Sequence, residues 1–576
     1  MQVNEYQVKG GNANAPFTLK VHRGDGMALL AMNWKDGEPP DSFVGFGIGY
    51  SYPNSDTIRW ISNRLSFEED MSSLNLQDPP KFFKSIDAPI QKFRWTHFPW
   101  NPNKEGLYTY KVVPIFMNEY GDLSEGEPQV VKIRLSRETI PGKVNVCFTR
   151  GFVSSQAFAD KYSENGSINT LLPPKHDEGL DFIPTHEKAE EALNWMGFEA
   201  REEILSILNL ANIENADVYI NAYELSISHV LEPLEVLGDR LRIIIDDSAK
   251  HGKTSSAETK SANRLALNGS NVIRQHMKKL QHNKTIVVDG EGTQKVICGS
   301  TNFSWRGFYV QANHAVTLTG ESAVNIYKEA FENYINFGKN FSKSPSALWQ
   351  RIEMDDVDIQ VSFSPHNKSN AILKTIADDI ATAKSSVFYS LAFLNLFGVN
   401  NIVKKSIKKV TQSENTFVYG ISDRRTIFGD GKILVQKPDG NIRPVFVKPL
   451  KKSLPEPFRS EAAGGGGNRM HHKFVVIDFD TDDARVYFGS YNFSDAADKS
   501  NGENLTLIRD RRVATSFMIE ALRLFDHYHF RVSVAEFSKT RKKLQLKKPP
   551  SLSGEVPWWK EDYINPQKIK DRELFS

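Results

Sequence analysis

The sequence predicts a duplicated α/β fold preceded by an all-β sandwich domain. Residues 1–138 consist of short segments in which apolar and polar side chains alternate, with turn residues between the segments. After residue 143 apolar strands alternate with longer helical segments, and a similar series of segments returns after residue 357. Period-two alternation is typical of strands with one buried face, whereas strands that alternate with helices are typical of a layered α/β fold.

The length and composition agree with this reading. A chain of 576 residues is long enough for three or four domains of ~150 residues each. Hydrophobic residues make up 40% and charged residues 25%, which excludes collagen-like, disordered and coiled-coil proteins. With 72 Lys and Arg against 70 Asp and Glu, the formal net charge is +2. This balance excludes nucleic-acid binding by bulk charge, but a local basic groove remains compatible with it.

The sequence also bears on compartment. The mean hydropathy is -0.43, and no run of about 18 apolar residues occurs, so we expect no transmembrane segment. The N-terminal residues lack the apolar stretch of a signal peptide. The two cysteines, Cys147 and Cys298, are a count typical of a cytosolic protein and lie in segments that look like buried strands. We therefore expect a cytoplasmic protein in which both thiols are small core side chains.

The sandwich domain is predicted over residues 1–140. Its six strands are expected in FTLKVHRG, MALLAMNW, FVGFGIGYSY, FRWTHF, LYTYKVVPIF and VVKIRLS. Residues 106–135 resemble the last two strands of a fibronectin type III domain, in which an aromatic-rich strand, a turn and a Ser/Glu-rich strand follow in this order. The resemblance implies a spacer or a binding platform and leaves the role of the domain open.

The α/β region is predicted to consist of two halves, residues 141–350 and 351–537. VNVCFTR and ADVYINAY in the first half correspond to IQVSFSP and SSVFYSLAFL in the second. Such self-similarity indicates a duplicated unit. Helices are expected over residues 185–211, 370–383 and 398–410.

Four further segments are expected to lie outside the regular elements. Mobile loops are predicted at residues 249–270, 425–431 and 451–470. A basic C-terminal tail is predicted over residues 538–576, either as a solvated tail or as an arm that contacts phosphates. Its basic residues are Lys539, Arg541, Lys542, Lys543, Lys547 and Lys548.

Two segments share the pattern H-x-K-x4-D. The residues are His282, Lys284 and Asp289 in the first half and His471, Lys473 and Asp478 in the second. GSTNFS follows the first copy and GSYNFS follows the second, so the agreement extends beyond the core pattern. One such pattern is a weak signal, but two copies with the same downstream run are a strong one.

The spacing explains what the two copies can do. In a strand, residues two apart point to the same face, so the His and the Lys of each copy aim at one point. The glycine of each GS-x-N run allows a close backbone approach, and the Asn amide can donate to an oxyanion. The side chains expected to bind phosphate oxygens are Lys284, Lys473, Asn302, Asn492, Ser300 and Ser490. Each glycine is also followed 14 residues later by a polar residue that starts a strand, Asn313 or Glu503.

Two imidazoles and two ammonium groups around one point suit the cleavage of a phosphodiester. One imidazole can attack phosphorus while the other protonates the leaving oxygen, and Lys and Asn hold the non-bridging oxygens. Asp289 and Asp478 are candidate catalytic residues, with a structural role at a strand end as the alternative. No zinc-site spacing or phosphate-binding loop occurs, so no metal and no cofactor are expected. His314 and His472 are expected to be packing or surface histidines and not catalytic ones.

The two motifs resemble the paired HKD motifs of the phospholipase D superfamily, over residues 144–537. The resemblance implies a pseudo-dimeric α/β/α sandwich, with the active site between its halves. It also implies a metal-independent reaction through a covalent phosphohistidine, in which His282 is the nucleophile and His471 the general acid. Finally, it implies that a polar residue of each half supports the histidine of the other half. Glu503 would then support His282, and Asn313 would support His471.

The choice of substrate rests on weaker signals. Basic and aromatic residues near the motifs favour a nuclease that cleaves DNA or RNA. A phospholipase D that hydrolyses or transfers phosphatidyl groups is the alternative, and a non-enzymatic nucleic-acid-binding protein is a minor one. The oligomeric state stays open. The basic and aromatic residues are Lys278, Lys279, Trp305, Arg306, Lys408, Lys409, Arg424, Arg425, Lys448, Lys451 and Lys452.

Overall fold

The computed structural model of the protein describes residues 6–68, 82–99, 104–151, 158, 162, 170–394, 400–422, 470–540, 545–551 and 555–576, with the backbone alone for residues 527–540. The described residues fall into two compact units. One contains residues 6–137 and 518–576, and the other contains residues 138–517, each with the gaps given above. No described helix combines the length and the apolar composition that crossing a bilayer requires.

The first unit contains two antiparallel sheets, as the alternation predicts. One sheet consists of β1 (Gln7–Lys9), β2 (Phe17–Arg23), β3 (Ala28–Trp34) and β8 (Arg94–His97), in this order. The other has β10 (Leu123–Glu125), β9 (Gly106–Met117), β4 (Phe43–Ser51) and β5 (Arg59–Trp60), and β11 (Gln129–Leu135) also pairs with β9. A hairpin joins β6 (Ser62–Asn63) to β7 (Phe83–Lys84). All six predicted strands are present, and the resemblance to fibronectin type III stays a prediction.

The two sheets share one core. In β2, Phe17, Leu19 and Val21 are buried whereas Thr18 is exposed, which is the period-two pattern of a strand with one buried face. The buried side packs with Phe46 of the other sheet, and the ring centroids of Phe17 and Phe46 are 5.1 Å apart. The alternation in the sequence therefore marks the interior of this unit.

The second unit contains two seven-stranded sheets, and residues 144–337 form the first. Its order is β12 (Val144–Phe148), β18 (His314–Thr319), β17 (Gln294–Gly299), β16 (Lys284–Asp289), β13 (Asp217–Ala222), β14 (Leu241–Ile245) and β15 (Asn271–Arg274). The helices of this half are α1 (Ala189–Ile213), α2 (Ser228–Leu237), α3 (Ala257–Leu267) and α4 (Glu321–Phe337).

The second sheet comes from residues 350–509. Its order is β19 (Gln350–Ile352), β20 (Asp358–Ser364), β25 (Glu503–Arg509), β24 (Arg485–Gly489), β23 (Lys473–Ile477), β21 (Ser386–Leu391) and β22 (Phe417–Ile421). The helices are α5 (Leu373–Ala381), α6 (Ile402–Thr411), α7 (Asp495–Lys499) and α8 (Arg511–Thr540).

The two sheets repeat one topology, which confirms the predicted duplication. The series β12-β18-β17-β16-β13-β14 matches β20-β25-β24-β23-β21-β22 in order and in strand direction. In both series only the last pair is parallel. The two HKD motifs therefore enter equivalent strands, β16 and β23, at the centre of their sheets.

The predicted mobile loop at 249–270 is wrong, because it contains helix α3. The helix begins after Ser256, whose Oγ accepts a hydrogen bond of 3.2 Å from the backbone N–H of Thr259, and Ala257, Ala262 and Leu265 are buried. The other two predicted loops lie outside the described residues, except for Met470. The predicted helices are present with shorter bounds, and α1 has a kink at Phe198, where φ is +47°. Cys147 and Cys298 are free and buried, as expected.

The predicted basic tail is wrong for its last residues, which pack on the sandwich. Helices α9 (Glu561–Ile564) and α10 (Pro566–Phe575) follow residue 555, and Trp559 and Phe575 are buried. Trp558 donates a hydrogen bond of 3.0 Å from Nε1 to the carbonyl of Phe43. The burial of these aromatic rings contributes more free energy than the solvation of the neighbouring lysines. Lys548 forms an ion pair with Glu68 at 2.8 Å.

Candidate active site

Each HKD motif enters its sheet in the same way. Strands β16 and β23 begin at Lys284 and Lys473, and the histidine lies two residues earlier. The ammonium of each lysine donates to the carbonyl of its own histidine, at 2.7 Å for Lys473 and His471. All four side chains are buried. The spacing thus places imidazole and ammonium at the same end of a strand, as predicted.

The two histidines are held by backbone bonds between the halves. The N–H of His282 donates to the carbonyl of Gly502 at 2.8 Å, and the N–H of His471 donates to the carbonyl of Ala312 at 2.9 Å. Parallel bridges pair Gln281 with Gly502 and Ala312 with Met470. Each half therefore positions the histidine of the other, and the two motifs form one composite site.

The support residues cross between the halves, as the resemblance implies. Nδ1 of His282 lies 3.2 Å from Oε1 of Glu503. Nδ1 of His471 lies 2.9 Å from Oδ1 of Asn313 and 3.1 Å from the carbonyl of Ser300. Because the oxygens nearest both Nδ1 atoms are acceptors, we assign the proton of each imidazole to Nδ1 and the lone pair to Nε2. The contact of His282 with Glu503 has the distance of a hydrogen bond but not its alignment.

Glu503 is a fully buried carboxylate that is held on several sides. Oε1 accepts a hydrogen bond of 2.8 Å from the amide of Asn501, and Oε2 accepts one of 2.9 Å from the backbone N–H of Asn492. Burial raises its pKa, but His282, the Asn501 amide and Lys284 lower it more, so the pKa lies below its usual value. The group therefore stays ionised beside His282.

Burial and the nearby lysines hold both histidines neutral in the free protein. Burial and Lys284 lower the pKa of His282 to about 4, although Glu503 opposes this shift. Burial, Lys473 and Lys284 hold the pKa of His471 well below its usual value. At neutral pH, Nε2 of His282 is therefore available as a nucleophile.

The two lysines lie against aromatic rings that the motif does not contain. Nζ of Lys284 is 4.7 Å from the ring centroid of Tyr223, and Nζ of Lys473 is 5.3 Å from that of Phe393. Burial lowers the pKa of Lys284 to about 7, with Glu503 and other carboxylates opposing the shift. Burial and Lys284 hold the pKa of Lys473 well below its usual value. Neither ring was found from the sequence, because both follow strands distant from the motifs.

The glycines of the GS-x-N runs have the predicted close approach. Gly299 has a φ of +151°, and a Cβ there would lie 2.4 Å from the carbonyl oxygen of His314. Gly489 has a φ of +148°, and a Cβ there would lie 2.3 Å from the carbonyl oxygen of Asn504. Only glycine fits here without moving the adjoining support strand.

The two Asn side chains of these runs differ in their contacts. Nδ2 of Asn302 donates a hydrogen bond of 3.0 Å to Glu224, which also accepts one of 2.8 Å from Ser304. Oδ1 of Asn302 and Oδ1 of Asn492 are buried without a hydrogen-bond partner among the described residues. Glu224 is a further candidate residue, and the carboxylate directly after a buried strand is the signal that could have identified it.

The predicted phosphate-binding role of Ser300 is wrong, and that of Ser490 stays a prediction. Both side chains are fully buried. Ser300 Oγ donates to Asn313 at 2.9 Å, and Ser490 Oγ accepts the backbone N–H of Asn504 at 3.0 Å. Because the Ser300 hydroxyl gives its one proton to Asn313, it positions this support residue and has no proton left for a phosphate oxygen.

The predicted catalytic role of Asp289 and Asp478 is also wrong, because both lie at the far ends of their strands. Asp289 is five residues beyond Lys284, about 16 Å along an extended strand, and it pairs with Lys328. Asp478 accepts backbone N–H bonds from residues 384–386, at 2.8 Å for Ser385, and has a φ of +53°. Both are structural carboxylates, the alternative that the sequence left open.

Buried polar pairs join the halves behind the histidines. His314 and His472 approach each other at 3.1 Å between their Nδ1 atoms, with rings 8° from parallel. At the equivalent place, Asn504 donates to Asn283 at 2.9 Å. Of the packing and surface positions that the sequence left open, His314 and His472 both have the packing one.

Comparisons with known proteins agree with this architecture. A family described as "Cardiolipin synthase, PLD-like domain" matches residues 207–335 and 376–525, one segment in each half. The chain is 44% identical over 48 residues to a phospholipase D of Rickettsia prowazekii (strain Madrid E), and this match covers 8% of the chain and 22% of the relative. The match to a phospholipase D of Rickettsia felis has the same extent. The chain therefore spans less than a quarter of the length of these relatives.

Solved structures with low sequence identity are similar to parts of the chain. Phosphatidylserine synthase from Haemophilus influenzae Rd KW20 has 12% identity and a TM-score of 0.39, with 60% of this chain and 92% of that one covered. Nuc from Salmonella typhimurium, a phospholipase D family member, has 19% identity and a TM-score of 0.18, with 31% and 95% covered.

Proposed function

Because the two motifs and the duplicated fold place this chain in the phospholipase D superfamily, we propose that it is a metal-independent phosphodiesterase that forms a covalent phosphohistidine and cleaves nucleic acid. The observation that carries the proposal is the crossed support of the two histidines. Each imidazole has Nδ1 directed at an oxygen of the other half, which leaves two Nε2 atoms for one phosphorus.

The first step forms a phosphohistidine on His282. Its Nε2 lone pair forms a P–N bond while the P–O bond to the leaving group breaks, and His471 gives its proton to the departing oxygen. The positive charge that develops on His282 lies beside the Glu503 carboxylate. A bound phosphodiester brings the negative charge that favours protonation of His471.

The second step releases the phosphate product. Water attacks phosphorus, His471 takes the proton from the water, and the P–N bond to His282 breaks. In both steps the ammonium groups of Lys284 and Lys473 offset the charge of the non-bridging oxygens. The reaction at phosphorus therefore uses groups that the chain supplies.

A cavity with two exposed lysines in its wall, here called the basic cavity, favours nucleic acid as the substrate. Its volume is about 450 Å³, and its wall includes Lys278, Lys279, His276 and Asn501. Both lysines are exposed, and Asn501 contacts Glu503. Exposed cations only three and four residues before His282 in the chain suit a polymer with a phosphate on either side of the scissile one. Trp305, by contrast, is buried and donates to the carbonyl of Gly179, so it does not serve as a stacking platform.

Transfer or hydrolysis of phosphatidyl groups is the second candidate, and the description of the matching family favours it. The deciding experiment incubates the full chain, in excess EDTA, with single-stranded DNA, duplex DNA, RNA and phosphatidylcholine vesicles. We expect cleavage of nucleic acid without lipid turnover. Lipid turnover alone would reverse the assignment, and an inactive His282→Ala, His471→Ala double variant controls for contaminating enzymes.

The basic cavity has its own test. Replacing Lys278 and Lys279 by Ala should weaken the cleavage of a long oligonucleotide. The slope of log affinity against log salt concentration should fall by an amount that corresponds to at most about two phosphate contacts. Cleavage of a small p-nitrophenyl phosphodiester should change little. Lys339 and Lys343, two exposed lysines of the same half that lie outside the cavity wall, provide the matched control. Equal effects of the two double variants would show that the cavity does not bind the polymer.

A further inference from the structure

Five ionisable side chains form a cluster beside the candidate active site in the first half. Two of them follow the central strands: Glu224 comes after β13, and Asp246 comes after β14. The others come from three separate segments, so no motif spacing reveals the group. The five residues are His176, Glu224, Asp246, His251 and Glu258.

The cluster lies one aromatic ring away from the nucleophile. The Tyr223 ring centroid is 4.7 Å from that of His251 and also 4.7 Å from that of His282. Glu224 lies next to Tyr223 in the chain and holds the amide of Asn302. The group is therefore connected to the reaction centre on two sides.

Each histidine of the cluster has one ring nitrogen on a fully buried carboxylate. Nδ1 of His251 is 2.8 Å from Oδ2 of Asp246, and Nε2 of His176 is 2.8 Å from Oε1 of Glu258. A carboxylate on one nitrogen fixes the tautomer and directs the lone pair of the other nitrogen away from it. In His176 this other nitrogen, Nδ1, lies 3.3 Å from the Ser226 hydroxyl, which a bound ion would displace. This is the arrangement by which proteins orient histidines that bind metals.

The remaining nitrogen of His251 has no partner. His251 is only 1% exposed, and its Nε2 is buried without a hydrogen bond among the described residues. Glu258 is 0% exposed, and its Oε2 is likewise unpaired. A buried acceptor without a donor is costly, and a cation would satisfy it.

The third candidate ligand is Glu224. One ligand atom from each of His176, Glu224 and His251 lies within 4.8 Å of the other two. Because Zn²⁺ binds N and O ligands at about 2.0–2.2 Å, the atoms would close in by roughly 1 Å around an ion. Oε2 of Glu224 already accepts from Asn302 and Ser304, which leaves Oε1 for the ion.

We propose that His176, Glu224 and His251 bind a zinc ion, with Asp246 and Glu258 orienting the two histidines. Two imidazoles and one carboxylate are a donor set that suits Zn²⁺ and leaves a coordination position for water or substrate. The ion would add positive charge beside three carboxylates that already interact with Lys250, Lys284 and Arg274. It does not replace the chemistry at His282, and the proposal does not depend on the identity of the phosphodiester.

The second half offers no equivalent ligands at the corresponding described positions. Ala222 pairs with Lys284 and Leu391 pairs with Lys473, so Glu224 corresponds to Phe393. Asp246 follows β14 as Ser422 follows β22. The site therefore belongs to one half of the duplicated fold.

The test is a titration of the EDTA-stripped and dialysed full chain with Zn²⁺, by calorimetry, with metal content measured by mass spectrometry. We expect one saturable site per chain. His251→Gln and Glu224→Gln should each weaken it at least about tenfold. His276→Gln should leave it unchanged, because His276 pairs with Asp247 outside the cluster.

Thermal unfolding separates loss of the site from loss of the fold. Zn²⁺ should raise the Tm of the wild-type chain and of His276→Gln, and should not raise that of Glu224→Gln. If His251→Gln does not fold, Glu224→Gln decides, since it keeps the size of the side chain. Absence of saturable binding in the wild-type chain, or equal affinity in Glu224→Gln, would overturn the proposal. In that case the cluster is a hydrogen-bonded network of the two histidines with their carboxylates.

Discussion

The two halves of the duplicated unit place the same motif in two different electrostatic surroundings. His282 of the first half faces the buried carboxylate of Glu503, whereas His471 of the second half faces the neutral amide of Asn313. A carboxylate stabilises an imidazole that becomes cationic, and an amide only fixes its orientation. The difference therefore suits His282 to carry the phosphoryl group and His471 to exchange protons.

The surroundings of the two lysines diverge as well. Strand β13 is followed by Tyr223 and Glu224, whereas β21 is followed by Ala392 and Phe393. Each ammonium lies over an aromatic ring, but the two rings come from neighbouring positions of the repeat. The strands and glycines were kept after duplication, and the residues that follow the central strands changed. One symmetric fold thereby holds an asymmetric site.

The largest expected effect separates the two histidines by leaving group. His282→Ala should lower turnover of every substrate by at least about 10⁴-fold, since no nucleophile remains. His471→Ala should slow the first step on an oligonucleotide by about 10²- to 10⁴-fold. It should slow release of p-nitrophenolate much less, because this leaving group needs no proton. Single-turnover kinetics with both substrates measures the difference.

An equal loss of rate on both substrates in His471→Ala would contradict the different roles of the two histidines. A thermal unfolding curve of each variant serves as the control for folding. Retention of p-nitrophenolate release in His282→Ala would contradict the assignment of the nucleophile.

Replacing Glu503 or Asn313, the residues that support the two histidines, should have a smaller effect than replacing the histidines themselves. The effects of the two replacements should also differ from each other. Glu503→Gln removes the charge beside the phosphohistidine and should lower kcat/KM by about 10²- to 10³-fold. Asn313→Ala should lower it about tenfold. Since Glu503 raises the pKa of His282, loss of this carboxylate should lower that pKa. The acidic limb of the pH profile should then lie at a lower pH than the wild-type limb, which lies near pH 4. A purely structural role would leave that limb in place.

The pH dependence on the alkaline side tests the difference between the lysines. Burial lowers the pKa of Lys284 to about 7, so its ammonium is lost as the pH rises through this value. We expect kcat/KM for a p-nitrophenyl phosphodiester, whose leaving group needs no proton from His471, to fall about tenfold per unit above pH 7, because the neutral amine no longer offsets the phosphate charge. Glu224→Gln removes a carboxylate that raises this pKa and should move the limb to lower pH. A flat profile up to pH 9 would contradict the assignment.

The smallest expected effect concerns the two aspartates of the motifs. Asp478→Ala leaves three backbone N–H donors without their acceptor and should lower the free energy of unfolding by about 3 kcal/mol. Asp289→Ala loses one partly exposed ion pair and should cost no more than about 1 kcal/mol. Urea unfolding followed by fluorescence measures both. Equal losses in the free energy of unfolding would show that Asp289 and Asp478 contribute equally to stability.

Part of the candidate site could be predicted from the sequence alone. Period-two spacing within a strand was enough to predict that His282 and Lys284 act together, and the glycine runs were enough to predict the close approach at Gly299 and Gly489. The crossed supports came from the family resemblance alone, because pairing between halves cannot be deduced from spacing. Glu224 was missed, since its contact with Asn302 joins residues 78 positions apart.

The errors have a common physical cause. Ser300 was expected to bind phosphate, but the orientation of a hydroxyl depends on the strand beside it, which the sequence does not display. The C-terminal residues were classified by their lysines, whereas Trp559 and Phe575 decide where they pack. In each case the local sequence pattern is present, but a contact with residues distant in sequence determines where the side chains lie.

The most direct test of the account is the location of the covalent intermediate. His471→Ala should form the phosphohistidine from a p-nitrophenyl substrate but should hydrolyse it slowly, because no base activates water. Acid-quenched mass spectrometry should then find the adduct on the peptide that contains His282, and no adduct in His282→Ala. An adduct on His471 in the His282→Ala protein would contradict the account, since it would show that the two halves have the opposite roles.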